Sequence, residues 1–400
     1  MTAYLLNWLN LLARWFHFTA GVAWIGTSLY FVWLDNQLRA PAKAEDAANG
    51  VSGELWSVHG GGFYHNQKYL TGPKSEPLTH DLHWFKWEAY STWLSGMALM
   101  AVVYWAGASS YLIDKSVLDL SPAAAIGLSI ATLVVGVVVY EALCRAFERQ
   151  PLALGIAVYV SLVLGTWGLF HLFGARAAYL HVGAIIGTVM VLNVAHVIIP
   201  GQRKMLAQIR AGQTPDPRPG QRGKIRSVHN TYFTLPVLFI MISNHYPIAY
   251  GGPYGWVVLA LLMAAGALVR HFFILSHKAR IAVGLPIAAA AAIALAAFIA
   301  APRTAPAESG RGAGPSYAQI APIVAQRCAA CHSEHPTQPG FNAAPQGVLL
   351  DSPARLQAAA ARVKAQAVTT QAMPLGNMTK MTGEERALLG AWIDAGAKGP

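Results

Sequence analysis

The sequence predicts an all-α protein: an eight-helix transmembrane bundle followed by a small helical domain. Three observations carry that expectation. Of 400 residues, 54% are hydrophobic and 12% charged, whereas charged side chains make up roughly a quarter of an ordinary soluble domain. The same balance excludes a disordered chain, which has too little apolar surface to bury. Charges are absent from 15–34, 89–113, 120–140, 150–175, 177–202, 227–269 and 281–302. Six of these runs have the ~20-residue length that crosses a bilayer core, and 227–269 is long enough to cross twice. The chain beyond them regains charge and reads as a soluble tail.

Charge placement sets the orientation. A net charge of +11 invites a nucleic-acid partner, but none is needed to explain it. The odd-numbered connections carry 17 Lys and Arg, the even-numbered ones only Lys115 and Arg176. Cationic loops stay in the cytoplasm, so both termini are expected on the opposite, periplasmic face of a bacterial inner membrane. The first apolar stretch is too long for a secretory signal and lacks a small-residue cleavage site. It is expected to remain as the first span.

In that span Arg14, His17, Gly21, Trp24 and Ser28 recur at helical steps, and Asp35 continues them. An ionisable group at membrane depth costs roughly 2.5–3.5 kcal/mol, so the stripe should face the bundle interior. His17 then reads either as a neutral imidazole hydrogen-bonded between helices or as a haem b ligand. In the second case Gly21 would leave room for the porphyrin and Trp24 would pack on it. The long first connection contains His59-Gly-Gly-Gly-Phe-Tyr-His65 and is expected to fold as a lid.

Further along, His171, His181 and His245 fall at outer helix ends, where capping is the default role. His83, His196, His229, His271 and His277 fall at the cytoplasmic ends, accompanied by Lys86, Glu88, Asn193, Asn230 and Arg270. Such a cluster of donors and bases suits a polar, planar, anionic small molecule. Gly183 and Gly187 form a close-packing Gly-x-x-x-Gly, and Cys144 reads as a buried packing residue. No phosphate loop, Ser-His-Asp order or His-Glu-x-x-His is present, which leaves NAD, ATP and hydrolytic chemistry unsupported.

Residues 1–300 form the membrane domain in this reading, and 301–316, rich in Pro, Gly and Ala, a flexible tether. Residues 317–400 form the tail domain. There Cys328, Cys331 and His332 make Cys-Ala-Ala-Cys-His, the c-type haem attachment pattern. Two thiols one turn apart add across the porphyrin vinyls, and the adjacent imidazole reaches the iron. A zinc site would need four ligands, and the chain has only three cysteines. Helices are expected at Tyr317 to Arg327 and after Thr382, whose capping box closes on Glu385. Leu388, Leu389 and Trp392 lie on the packing side of the second. The tail resembles a class I cytochrome c, which implies a methionine as sixth iron ligand. Met373, followed by Pro374, fits best among Met373, Met378 and Met381.

The first span through Trp-Leu-Asp35-Asn36, the segment His83-Trp-Phe-Lys86-Trp-Glu88 and the run from Ser227-Val-His229-Asn230 to Asn244-His245-Tyr-Pro resemble the bacterial membrane-bound urate oxidases. The eight spans and the cytochrome tail fit as well. The resemblance implies oxidation of urate to 5-hydroxyisourate, with electrons passed through haem c to a downstream cytochrome or terminal oxidase. Its site is expected among His83, Lys86, His196, His229 and Arg270 as catalytic groups, with Asn193 and Asn230 binding substrate. The first two spans, with His17 and Lys86, also resemble small haem-binding protoporphyrinogen oxidases. The alternatives are therefore a quinol- or partner-linked electron conduit and a haem-dependent porphyrinogen oxidase.

Overall fold

The computed structural model describes residues 2–74, 78, 81–277, 280–301, 314–338, 341 and 343–400. Most of the tether expected at 301–316 lies outside the described residues.

Helix α1 (Thr2–Gln37) leads into a short α2 (Ala44–Ala48) and a hairpin of β1 (Val51–His59) and β2 (Gly62–Tyr69). Then follow α3 (Trp87–Leu99), which runs on as a π-helical turn Met100–Trp105, and α4 (Ala108–Tyr111). The chain continues with α5 (Pro122–Ala146), α6 (Pro151–Phe170) and α7 (Ala175–Leu192). A second π-turn, Asn193–Ile198, joins α7 to α8 (Ile199–Arg210). Helices α9 (Arg218–Ser243), α10 (Pro247–Tyr250), α11 (Gly255–His277) and α12 (Gly284–Ala300) complete the bundle. Helix occupies every apolar run, although α3 has only 13 residues before its π-turn and α12 only 17. Four of the described helices are long and apolar enough to cross a membrane: Pro122–Ala146, Pro151–Phe170, Ala175–Arg210 and Gly255–His277. Large apolar side chains such as Val134, Val138, Ile156, Leu164 and Ile287 point outward from the bundle. Lipid would accept such a surface; water would penalise it.

The hairpin corrects the all-α expectation. Trp56 and Val58 alternate on β1 opposite His65 and Phe63 on β2, which suits a pleated ribbon, and Gly60 and Gly61 both adopt positive φ (58° and 80°). That is the type I′ geometry that matches strand twist. The antiparallel register pairs His59 with Gly62 and Trp56 with His65. Lys68 of β2 pairs with Asp35 at the end of α1, which ties the ribbon to the bundle.

Starts and bends follow local chemistry. Ser121 caps α5 by accepting from the Ala124 amide, and Pro122 and Pro151 occupy first-turn positions whose N–H is not needed. Pro236, inside α9, removes one ladder bond and packs against Gly266 of α11. Helix α7 is the central element: Tyr179, His181, Val182 and Ile186 are almost wholly buried. Gly183 lets Ile240 of α9 approach, since an added Cβ would sit 2.6 Å from it, whereas Gly187 faces open space. Only half of the close-packing motif packs.

The tail contains α13 (Tyr317–Arg327), α14 (Pro353–Ala358), α15 (Ala360–Val363) with a further π-turn Lys364–Thr369, and α16 (Gly383–Asp394). Its own core gathers Ile320, Val324, Leu356, Met381, Leu389 and Trp392. Thr382 and Glu385 form a reciprocal capping box at the start of α16.

Candidate functional site

One group of chemistry-bearing side chains lies where α5, α7, α9 and α11 run toward the Lys- and Arg-rich connections. Asn193 Nδ2 donates to the Tyr140 hydroxyl (3.0 Å) and to Asn230 Oδ1 (2.9 Å). Asn230 Nδ2 donates to the Met190 carbonyl (3.0 Å). Arg226 donates through Nη1 to Asn193 Oδ1 (3.2 Å) and through Nη2 to Glu141 Oε2 (2.7 Å). The Tyr140 hydroxyl stands 2.7 Å from His229 Nδ1. With the Asn193 amide donating to the same hydroxyl, Tyr140 links the two side chains and fixes the His229 ring through Nδ1. Asn193 sits in the π-turn of α7, a feature that recurs at functional sites.

Both amides are therefore committed to the network. Asn193 and Asn230 hold His229 and Arg226 in place; they have little capacity left for a ligand. Arg270 is the opposite case. It is 6% exposed, and neither Nε nor Nη2 has a hydrogen-bond partner among the described residues. No described carboxylate forms an ion pair with it. A buried charge left unanswered costs several kcal/mol, so an anion brought to this guanidinium relieves a cost already present. Beside it, Tyr232 and His271 share a 2.6 Å hydrogen bond.

The remaining predicted residues stand apart. His83 is exposed, its ring edge-on to Phe85. Lys86 caps α3, with its ammonium 5.8 Å from the Trp87 ring centre. His196 is exposed on the π-turn. Glu88 Oε2 and His277 Nδ1 are buried without a partner among the described residues. Tyr140, Glu141 and Arg226 escaped the sequence reading. Their signal was the opposite charges that close two apolar runs, Glu141 after 120–140 and Arg226 before 227–269.

Other histidines fill the bland roles. His181 is fully buried, between Ser129 Oγ and the Ala177 carbonyl, each 2.7 Å away. His17 Nδ1 lies 3.0 Å from the Thr92 carbonyl and 3.1 Å from Ser95 Oγ, bridging α1 to α3. Its ring lies against Gly96, and Thr92 and Met241 close over Gly21. These contacts are the ones the hydrogen-bonded reading of His17 expects, and the Thr92 carbonyl places the proton on Nδ1 as the Val348 carbonyl does for His332 in the tail. Cys144 is buried. Among the described residues, no group of three or more His, Cys, Asp or Glu is placed to hold a metal ion.

The second group lies in the tail. A cavity of about 1450 Å³ is lined by Cys328, Cys331, His332 and Met373, with Met378 and Met381 nearby. It exceeds the ~300–1,000 Å³ of a usual small-molecule site. Both cysteines are free thiols; burial pushes Cys328 up to about 11 and raises Cys331 as well. His332 Nδ1 is 2.9 Å from the Val348 carbonyl. A carbonyl only accepts, so the proton is on Nδ1 and Nε2 carries the lone pair that a metal requires. Free thiols, an imidazole with a fixed tautomer and a large cavity fit a covalently held haem. Two arginines not singled out from the sequence organise the methionine loop. Arg327 makes a forked pair with Glu385 (2.8–3.1 Å), and Arg386 donates to the carbonyls of Ala367 and Met373. The Arg327 pair holds the Glu385 carboxyl below its ordinary range.

A family model described as urate oxidase N-terminal matches residues 3–301. The chain belongs to this family. The match places it with oxidoreductases acting on urate, and it ends where α12 ends, ahead of the tail cavity. No curated protein and no solved structure matches the chain.

Proposed function

We propose that this protein is a membrane-bound urate oxidase, its eight apolar helical segments spanning the bacterial inner membrane with both termini periplasmic. The urate monoanion and water become 5-hydroxyisourate, one proton and two electrons, and the electrons leave toward a downstream cytochrome or terminal oxidase. The observation that carries the substrate site is Arg270. Urate is a planar acid that is anionic near neutral pH, and Arg270 offers a buried guanidinium with free donors. His229, held through Nδ1 by Tyr140, has Nε2 left to face the substrate. His196 and Lys86, which are not tied into the network, are left to exchange protons with the cytoplasm. His83 lies on the approach.

Cys328 and Cys331 would hold a haem c, His332 and Met373 would offer ligands to its iron, and that group would supply a one-electron acceptor. A bilayer core of ~30 Å separates the two ends. Aromatic rings cover part of that span: Tyr140 beside Phe233, then Phe239, Tyr179 and Tyr250, with neighbouring centres 5.7–6.5 Å apart except between Phe233 and Phe239 on α9. Tyr250 lines the tail cavity.

A second reading, a quinol-linked conduit, draws on an apolar cleft of about 390 Å³ between α5, α6 and α7, with Tyr140 in its wall. Anaerobic addition of urate to the purified full chain separates the two. Prompt appearance of the reduced c-type spectrum is the expected result. Reduction by quinol alone, with none by urate, would replace the enzyme by the conduit.

A further inference from the structure

The tail cavity is not closed by the tail alone. Its wall includes Arg14 of α1, Tyr111 of α4, Arg176 of α7, Asn244 and Tyr250. The two parts meet backbone to backbone. Gly251 lies against the Thr370 carbonyl, and an added Cβ on Gly376 would sit 2.5 Å from the Ile113 carbonyl. Glycine alone allows such an approach.

The charge of this wall is one-sided. The arginines lining it are Arg14, Arg176, Arg327, Arg362 and Arg386, against a single acid, Asp114. Asp114 is turned to the amide and hydroxyl of Ser116 (2.9 and 2.5 Å). Arg327 is spent on Glu385, and Arg386 on backbone carbonyls. Arg362 is exposed. Arg14 and Arg176 have no ion-pair partner among the described residues. Arg176 is also fixed in place: Nε donates to Asn244 Oδ1 (3.1 Å), and its guanidinium lies 5.6 Å from the Tyr111 ring centre. Arg14 is steadied from its own helix by Asn10 (2.7 Å).

A porphyrin of the haem type carries two propionate carboxylates on one edge. We infer that Arg176 and Arg14 of the membrane bundle form the carboxylate-binding part of the haem pocket, so that the bundle and the tail build one site between them. This rests on the haem c reading of Cys328, Cys331 and His332. A guanidinium fixed by an amide and an aromatic face is a preorganised, charge-assisted partner for a carboxylate. The consequence is electrostatic. A cation held near the iron favours the reduced form, which carries one positive charge fewer than the oxidised form.

The test is a redox titration of the haem-loaded full chain and of Arg176→Gln, Arg14→Gln and Arg176→Lys. The midpoint potential should fall in both Gln variants, by up to a tenfold shift in the oxidised-to-reduced equilibrium for Arg176→Gln, which is about 59 mV for one electron. Arg176→Lys should recover most of that loss, which a purely structural role would not predict. If Arg176→Gln fails to accumulate, the Arg14→Gln and Arg176→Lys potentials decide, and a fall in the first with little change in the second supports the site. Shifts below twofold in every variant that retains the c-type spectrum overturn the inference and leave the haem reading standing. Absence of covalent pigment from the unaltered chain, made in cells that mature cytochromes, overturns both.

Discussion

The polar site of the bundle and the crevice of the tail solve opposite problems. In the tail the reactive groups are neighbours in sequence: Cys328, Cys331 and His332 lie within one and a half turns, and a single carbonyl, Val348, fixes the imidazole. In the bundle, Tyr140, Asn193, Arg226 and His229 come from three helices and satisfy one another almost completely. Arg270, on a fourth, is left unanswered. Histidines bonded on both sides, such as His181, are structural. The unsatisfied charge marks where a ligand is missing its partner.

That contrast is broken most directly at Arg270. Arg270→Met should raise KM for urate by roughly 30-fold or more, because losing one member of a buried charge pair costs about 2–5 kcal/mol of binding. Without urate, the same variant should melt no lower than the parent, since it removes an unpaired buried charge. Loss of stability with unchanged KM would reduce Arg270 to a structural residue.

A smaller effect is expected inside the network. Tyr140→Phe leaves Asn193 Nδ2 and His229 Nδ1 each short of a partner, a cost of about 1–3 kcal/mol for an unsatisfied buried group. Turnover should fall about tenfold as the His229 ring loses its anchor, with little change in KM. A matching rise in KM instead would mean that the network binds substrate directly.

The smallest effect belongs to the tail. Glu385→Gln should cost about 1 kcal/mol, from the charge of the pair with Arg327, because Gln still accepts from the Thr382 amide in the capping box. The carboxyl of Glu385 is depressed in the folded state. Its contribution is therefore complete above the ordinary carboxylate pKa near 4.3 and is lost as pH falls through the lower folded value. Thermal melts of the parent between pH 6 and 3, followed at the tail, should show this loss, and the Gln variant should not.

The residues that escaped the sequence reading share a physical cause. Arg226 looked like one more cationic loop residue, and Glu141 like a helix-end charge. Nothing in their spacing says that α5 and α9 bring them to 2.7 Å. The β-hairpin was masked by its length of connection, although Gly60 and Gly61 between alternating aromatic residues are turn chemistry. His17 was left between two roles because its partners, Thr92 and Ser95, lie on another helix.

The sequence by itself determined the helices: apolar run length and proline, serine and glycine punctuation act over one or two turns, and the Cys-Ala-Ala-Cys-His spacing acts over five residues. Tertiary structure alone decided which polar groups are satisfied. Hydrogen-bond saturation depends on what the neighbouring helix presents at the same depth, and it separates Asn193 from Arg270 and joins Arg176 to a crevice more than 150 positions away in the chain.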